Sequence, residues 1–153
     1  MKKPIDIQLT KEGLQNFKKE QQVLSDKRPE VLTRLVAARE QGDLSENAGY
    51  HAAKDELAYI DHRIRELNLL LRFADVIQSN QTGVVAFGSV VTISDGQRNM
   101  VYTIVGKLEA NPANGKLSDV SPIGKMLLGK KVGESIKVDI PDGNVTYKII
   151  NIS

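Results

Sequence analysis

The chain has 153 residues, 41% hydrophobic and 26% charged, with a formal net charge of +2, ordinary values for one or two small soluble domains. It has no cysteine and only two histidines, His51 and His62. That excludes disulfides, thiolate metal sites and cysteine nucleophiles, and argues against a histidine-rich metal centre. No apolar run is long enough to cross a bilayer, and residues 1–6 carry no apolar stretch behind their lysines, so a cytoplasmic protein with no membrane partner is expected. Residues 1–78 hold 13 Lys+Arg and 13 Asp+Glu, and residues 79–153 hold 8 and 6. With 5% aromatics and no tryptophan, a base-stacking platform for nucleic acid is not expected.

The first half reads as helix. Leu14, Phe17, Gln21, Leu24, Arg28, Val31, Leu35 and Ala38 alternate spacings of three and four, and so do Glu46, Tyr50, Ala53, Leu57, Ile60, Ile64, Leu67, Leu71 and Ala74. Both series follow the repeat of a coiled-coil seam. Between them, Gln41-Gly42-Asp43-Leu44-Ser45 supplies a helix stop at Gly42 and a start at Asp43. Two long helices so closely joined must fold back antiparallel. The second, of about 30 residues at ~1.5 Å each, makes a rod on the order of 45 Å long. Gln21 and Arg28 occupy seam positions, where polar residues cost stability but fix register. Pro29 is expected to kink or restart the first helix.

The second half reads as strand. Residues 84–87, 90–93, 100–105, 136–140 and 145–150 are rich in β-formers. Gly88, Asp95-Gly96 and Asp142-Gly143 punctuate them, the last pair as a hairpin turn. One short helix is expected, with Ser121 as N-cap, Pro122 at its first position and Gly129 just past its end. The change of period over Gln78–Gly83 marks a domain boundary.

The connection between the helices is the informative place. Asp43 and Glu46 stand three residues apart, near the same end and face of a new helix. Two readings stay open at this level. Asp43-Leu44-Ser45-Glu46 is close to a capping box. Two carboxylates at an exposed tip also make half of an oxygen-ligand site for a divalent cation, with a partner completing it.

The run Ala38-Arg39-Glu40-Gln41-Gly42-Asp43-Leu44-Ser45-Glu46-Asn47-Ala48-Gly49-Tyr50-His51-Ala52-Ala53-Lys54 resembles the tip signature of the bacterial Gre transcript-cleavage factors, the GreA/GreB family. Leu9-Thr10-Lys11-Glu12-Gly13 resembles that family's start, and Arg28-Pro29 its first-helix proline. Val90-Val91 and Ser121 to Gly133 resemble its C-terminal domain. Gly49 and Val120 depart from the pattern, standing where many members have an acidic residue and an acidic or amide residue.

The resemblance implies an α+β fold: an antiparallel coiled-coil hairpin over residues 1–78, its acidic tip at about 41–47, and an FKBP-like antiparallel β domain with a short helix over residues 79–153. It implies a monomer that binds RNA polymerase and reaches the nascent RNA 3′ end through the secondary channel. There it stimulates cleavage of backtracked RNA without being an enzyme itself. Asp43 and Glu46 match the family's acidic pair, which shares a Mg²⁺ with the polymerase. Arg39 and Lys54 match basic positions near the RNA, where phosphate attracts a cation. Asp119, Ser121 and Pro122 fall in the polymerase-docking loop. The modest basic charge at the tip is GreA-like.

Two alternatives belong to other classes. One is a secondary-channel binder that inhibits polymerase without stimulating cleavage. The other, a prolyl isomerase, has only Phe87, Tyr102 and Tyr147 from which to line an apolar pocket. His51 and His62 read as solvent-facing or packing residues, and Lys130-Lys131 as a solvated turn.

Overall fold

The computed structural model describes residues 7–77 and 83–153. The expected boundary over Gln78–Gly83 therefore lies, apart from Gly83, outside the described residues. The chain divides into two units, Leu14–Ala74 and a second that joins residues 7–13 to the described part of Asp75–Ser153. No helix among the described residues is long and apolar enough to cross a membrane.

The first unit is a helical hairpin. Helix α1 spans Lys11–Arg39, its first residues belonging to the second unit, and α2 spans Ala48–Phe73. Every α1 seam residue expected from the sequence is buried or half-buried: Phe17, Val31 and Ala38 fully, Leu14, Gln21, Leu24, Arg28 and Leu35 in part. On α2 the buried set is Ala53, Ile60, Leu67 and Leu70. Polar ties across the seam fix the antiparallel register. Arg28 donates to Asp61 through Nε at 2.6 Å and Nη2 at 3.3 Å. Arg63 donates to Glu20 at 2.6 and 3.0 Å. Arg34 and Lys27 meet Glu56 at 2.6 and 2.9 Å, and Gln21 donates to Asn68. Planar guanidinium–carboxylate forks hold one geometry, so they select register more than they add stability.

Pro29 neither ends nor restarts α1, which is continuous past it. The proline removes one backbone donor, but the ring faces solvent and the seam residues on either side are held by the partner helix. Tertiary packing thus overrides a local penalty of roughly 3 kcal/mol. At 26 residues, α2 is also shorter than expected, about 39 Å long.

The second unit is built on a five-stranded sheet in the order β5-β4-β3-β7-β6. The strands are β3 Val90–Ser94, β4 Asn99–Val105, β5 Lys116–Ser118, β6 Ser135–Ile140 and β7 Gly143–Ile152. The sheet is mixed rather than wholly antiparallel, because β5 runs parallel to β4 (Thr103↔Lys116, Ile104↔Leu117). In β3, Val91 and Ile93 point inward while their neighbours are half-exposed, the alternation of a sheet with one covered face. They join Val85, Ile104, Leu117, Leu127, Ile136 and Ile149 in one core. Leu127 comes from α3, Pro122–Leu127, whose Ser121 cap and following Gly129 lie where the sequence puts them.

Two strand expectations are corrected. Residues 84–87 form no strand: Val84 makes an isolated bridge to Lys131, and Val85 bonds the loop at Lys130 and Gly129. A turn through Gly88, at φ +86°, ends that pairing. The β6–β7 hairpin closes on Ile140↔Gly143, so its two loop residues are Pro141 and Asp142, one position earlier than expected. The sequence also gave no sign of the small sheet made by β1, Ile7–Leu9, and β2, Ala74–Val76. Ile77 N–H extends it by donating to the Leu9 carbonyl at 2.9 Å.

Candidate functional site: the acidic hairpin turn

Helix α1 stops at Arg39, and the chain reverses through Gly42 at φ +118°, a conformation that favours glycine. A single 3₁₀ turn, Leu44–Glu46, follows, and α2 begins only at Ala48. The α2 cap is therefore Asn47, not Asp43. Asn47 Oδ1 accepts from Tyr50 N–H at 3.0 Å, and its Nδ2 donates 2.7 Å to the Ala38 carbonyl at the end of α1. One amide side chain thus starts the second helix and ties it to the first. Asparagine is among the preferred N-caps, so Asn47 was legible as an alternative start.

This arrangement changes what the two carboxylates are free to do. Asp43 is exposed and caps only the 3₁₀ turn, with Oδ1 accepting from Ser45 N–H at 3.0 Å and Ser45 Oγ at 2.8 Å. Those bonds hold its carboxyl below the usual aspartate range, the backbone bond contributing most. It is anionic at neutral pH, and among the described residues its second oxygen makes no hydrogen bond. Glu46 is exposed and makes no hydrogen bond to an amide among the described residues, so of the two readings the capping box does not form. Two carboxylate side chains on a short, solvent-facing turn are oxygen donors of the kind that suit a hard cation such as Mg²⁺. Among the described residues no group of three or more His, Cys, Asp or Glu side chains is placed to hold a metal. An ion here needs further ligands from elsewhere.

Arg39 and Lys54 are exposed, each beside a buried seam alanine, Ala38 and Ala53. Neither makes a salt bridge among the described residues. Gly49 lies in the first turn of α2, where an added Cβ would meet only Asn47 Oδ1 at an ordinary 3.4 Å. His51 stacks edge-on against Tyr50, and His62 sits 2.9 Å from Glu66.

The other expected site lies in the second unit. Ser121 Oγ accepts from Gly124 N–H at 3.1 Å and donates to the Ser118 carbonyl at 2.7 Å, so its hydroxyl shapes the loop. Gly124 admits that shape, since a Cβ there would fall 2.0 Å from the Ser118 carbonyl oxygen. Val120 and Pro122 are exposed and Asp119 is half-exposed. Lys130 lies 4.0 Å from Glu134 in a turn whose backbone bonds Val85.

Residues 7–76 match the family described as "Transcription elongation factor, N-terminal", and residues 80–153 match "Transcription elongation factor, GreA/GreB, C-term". The chain belongs to the GreA/GreB family of transcription elongation factors. Similar relatives include the transcription elongation factor GreA of Caldanaerobacter subterraneus subsp. tengcongensis, 46% identical over 157 residues and covering 99% of each chain. That of Lactococcus lactis subsp. cremoris is 44% identical over 149 residues, covering 94% of this chain and 96% of its own. Among solved structures, GreA factor homolog 1 of Thermus thermophilus is 30% identical, covering 97% of this chain and 99% of that one, at a TM-score of 0.46. The match to the GreA/GreB family runs through both the helical hairpin and the mixed-sheet unit.

Proposed function

We propose that this factor binds RNA polymerase and stimulates cleavage of the 3′ end of backtracked nascent RNA, with Asp43 and Glu46 as the acting residues. The observation that carries the reading is the division of labour at the hairpin turn. Asn47 caps α2, and both carboxylates are exposed. Had the capping box formed, Glu46 as well as Asp43 would be committed to a backbone amide.

In this reading Asp43 and Glu46 share a Mg²⁺ with the polymerase. Bound there, the ion supplies activation of a water and neutralisation of charge on the scissile phosphate. The chain's own residues do the rest. Ser45 holds the Asp43 carboxylate in place with two hydrogen bonds. Glu46 is left free to turn towards the ligand. Arg39 and Lys54 attract the phosphates of the extruded RNA. Asp119 and Pro122, with the exposed Val120 between them, make the polymerase contact, and Ser121 shapes that loop. The protein acts as a monomeric accessory to the polymerase, in the cytoplasm where transcription takes place.

The test is a defined backtracked elongation complex carrying labelled RNA. Asp43→Asn retains the acceptor for Ser45, and Glu46→Gln loses no bond among the described residues, so both variants should fold and bind polymerase as the parent does. Each should lose at least about tenfold in cleavage rate, partly restored by raised Mg²⁺, because one ligand charge is gone. Variants that cleave like the parent would remove these carboxylates from the chemistry. A parent chain that binds and never stimulates cleavage would make it an inhibitor.

A further inference from the structure

Strand β6 ends the five-stranded sheet: among the described residues β7 lies on one side of it and no strand on the other. Its pairing with β7 decides which backbone groups face outward. Ile140 and Gly143 are ladder partners across a two-residue loop, so they must bond each other directly. Ile149 N–H donates to the Glu134 carbonyl at 2.9 Å in the same phase. Glu134, Ile136, Val138 and Ile140 therefore turn their backbone groups to β7, and the N–H and C=O of Lys137 and Asp139 point away from the sheet. Both of these side chains are exposed, and neither makes a hydrogen bond or ion pair among the described residues.

A lysine alone on such an edge keeps a second copy away by like-charge repulsion. Lys137-Val138-Asp139 differs, because its two charges interchange under a two-fold axis. With two β6 strands antiparallel and Val138 opposite Val138, each Lys137 faces the other copy's Asp139. Their outward N–H and C=O groups then form four hydrogen bonds, in the phase an antiparallel ladder requires. Ile136 is buried in the core to which α3 contributes Leu127, and Ile140 lies on the same face of β6 but is 41% exposed. The two-fold register sets Ile140 opposite Ile136 of the second copy. Beside Ile136 runs a groove of about 370 Å³, lined by Met126, Leu128 and Ile136 together with Lys125, Lys130 and Lys137. An apolar side chain followed by an acid suits it, and Ile140 is followed by Asp142 in the exposed hairpin loop.

We propose that β6 is a self-association edge: two free chains join their sheets through antiparallel β6–β6 pairing, held by reciprocal Lys137–Asp139 contacts and by Ile140 in the groove between α3 and β6. Such an interface is isologous, each copy giving and receiving the same groups. One six-residue strand covers less than the roughly 800 Å² per partner of a standard interface, so the dimer is weak and reversible. It belongs to the free protein, since a single chain engages polymerase in the reading above.

The full chain is sedimented from about 10 μM to about 1 mM at low salt, where exposed charge pairs act most strongly. The parent should move from monomer towards dimer across that range. Lys137→Asp sets carboxylate opposite carboxylate, and Asp139→Lys sets ammonium opposite ammonium. Each alone, with parental circular dichroism, should weaken association by at least about tenfold. An equimolar mixture of the two variants should associate as the parent does, because every lysine again faces an aspartate. Amide exchange locates the contact. The N–H groups of Lys137 and Asp139 should exchange more slowly at about 1 mM than at about 10 μM, while those of Val138 and Ile140, already bonded to β7, change less.

A parent that stays monomeric at about 1 mM overturns the proposal. Association that survives both charge changes, or that the mixture fails to restore, overturns the Lys137–Asp139 register. Amides slowed elsewhere, with Lys137 and Asp139 unchanged, place the contact off β6 and overturn it as well.

Discussion

Asp43, Glu46 and Asn47 occupy neighbouring positions at the hairpin turn and do three different things. Asp43 is held by Ser45, Glu46 is unengaged among the described residues, and Asn47 joins the two helices. Asn47→Ala therefore removes both the N-cap and the donor to the Ala38 carbonyl, and should destabilise the hairpin by about 1–2 kcal/mol. Chemical denaturation of the full chain, followed by helix signal, checks this. Equal stability of Asn47→Ala and parent would mean that Asp43 can take over the cap. Three-residue spacing made the acidic pair visible in sequence. Spacing could not say which of several capping-competent residues wins, because Asp43, Ser45 and Asn47 are all good N-caps.

At the scale of the helices, three carboxylates bonded to arginine or lysine are shifted in one direction, Asp61 and Glu56 across the seam and Glu66 within α2. Hydrogen bonds from Arg28 hold Asp61 below its usual range, and bonds from Lys27 and Arg34 do the same for Glu56. Arg63 lowers Glu66 likewise. As pH falls, the unfolded chain takes up protons at these groups before the folded one does. Their contribution is thus intact at neutral pH and is lost as the pH drops below about 4.3 and through the lower folded values. Thermal unfolding of the helices should show a midpoint that falls across that window, less steeply in Asp61→Asn. The effect is modest because the pairs are partly solvated. A midpoint that rises on acidification would contradict these assignments. Pro29 belongs to the same scale, since it reads as a break only until the partner helix is present to hold both sides of α1.

For the whole chain, the informative feature is where residues 7–13 belong. They are grouped with the mixed-sheet unit, although the sequence places them at the start of the helical half. Leu9 is fully buried and its carbonyl accepts from Ile77 N–H. Leu9→Ala should cost about 2–5 kcal/mol, felt mainly in the C-terminal unit. Hydrogen exchange on the full chain would show faster opening of amides in β3 and β4, with those of Ile60 and Leu67 in α2 little changed. Loss confined to the helices would place residues 7–13 with the hairpin instead.

The sequence by itself determined the two helices, their seam and most of the five-stranded sheet. These rest on periodicity and turn residues, which are local properties of the chain. The mixed parallel pairing of β5, the passage of α1 through Pro29 and the hydrogen bonds of Glu109 with Thr10 depend on partners far away in sequence. Only the tertiary structure decided them. The acidic pair lies between the two cases: its residues and spacing are written in the chain, and its freedom follows from Asn47 reaching the Ala38 carbonyl once α1 and α2 are packed.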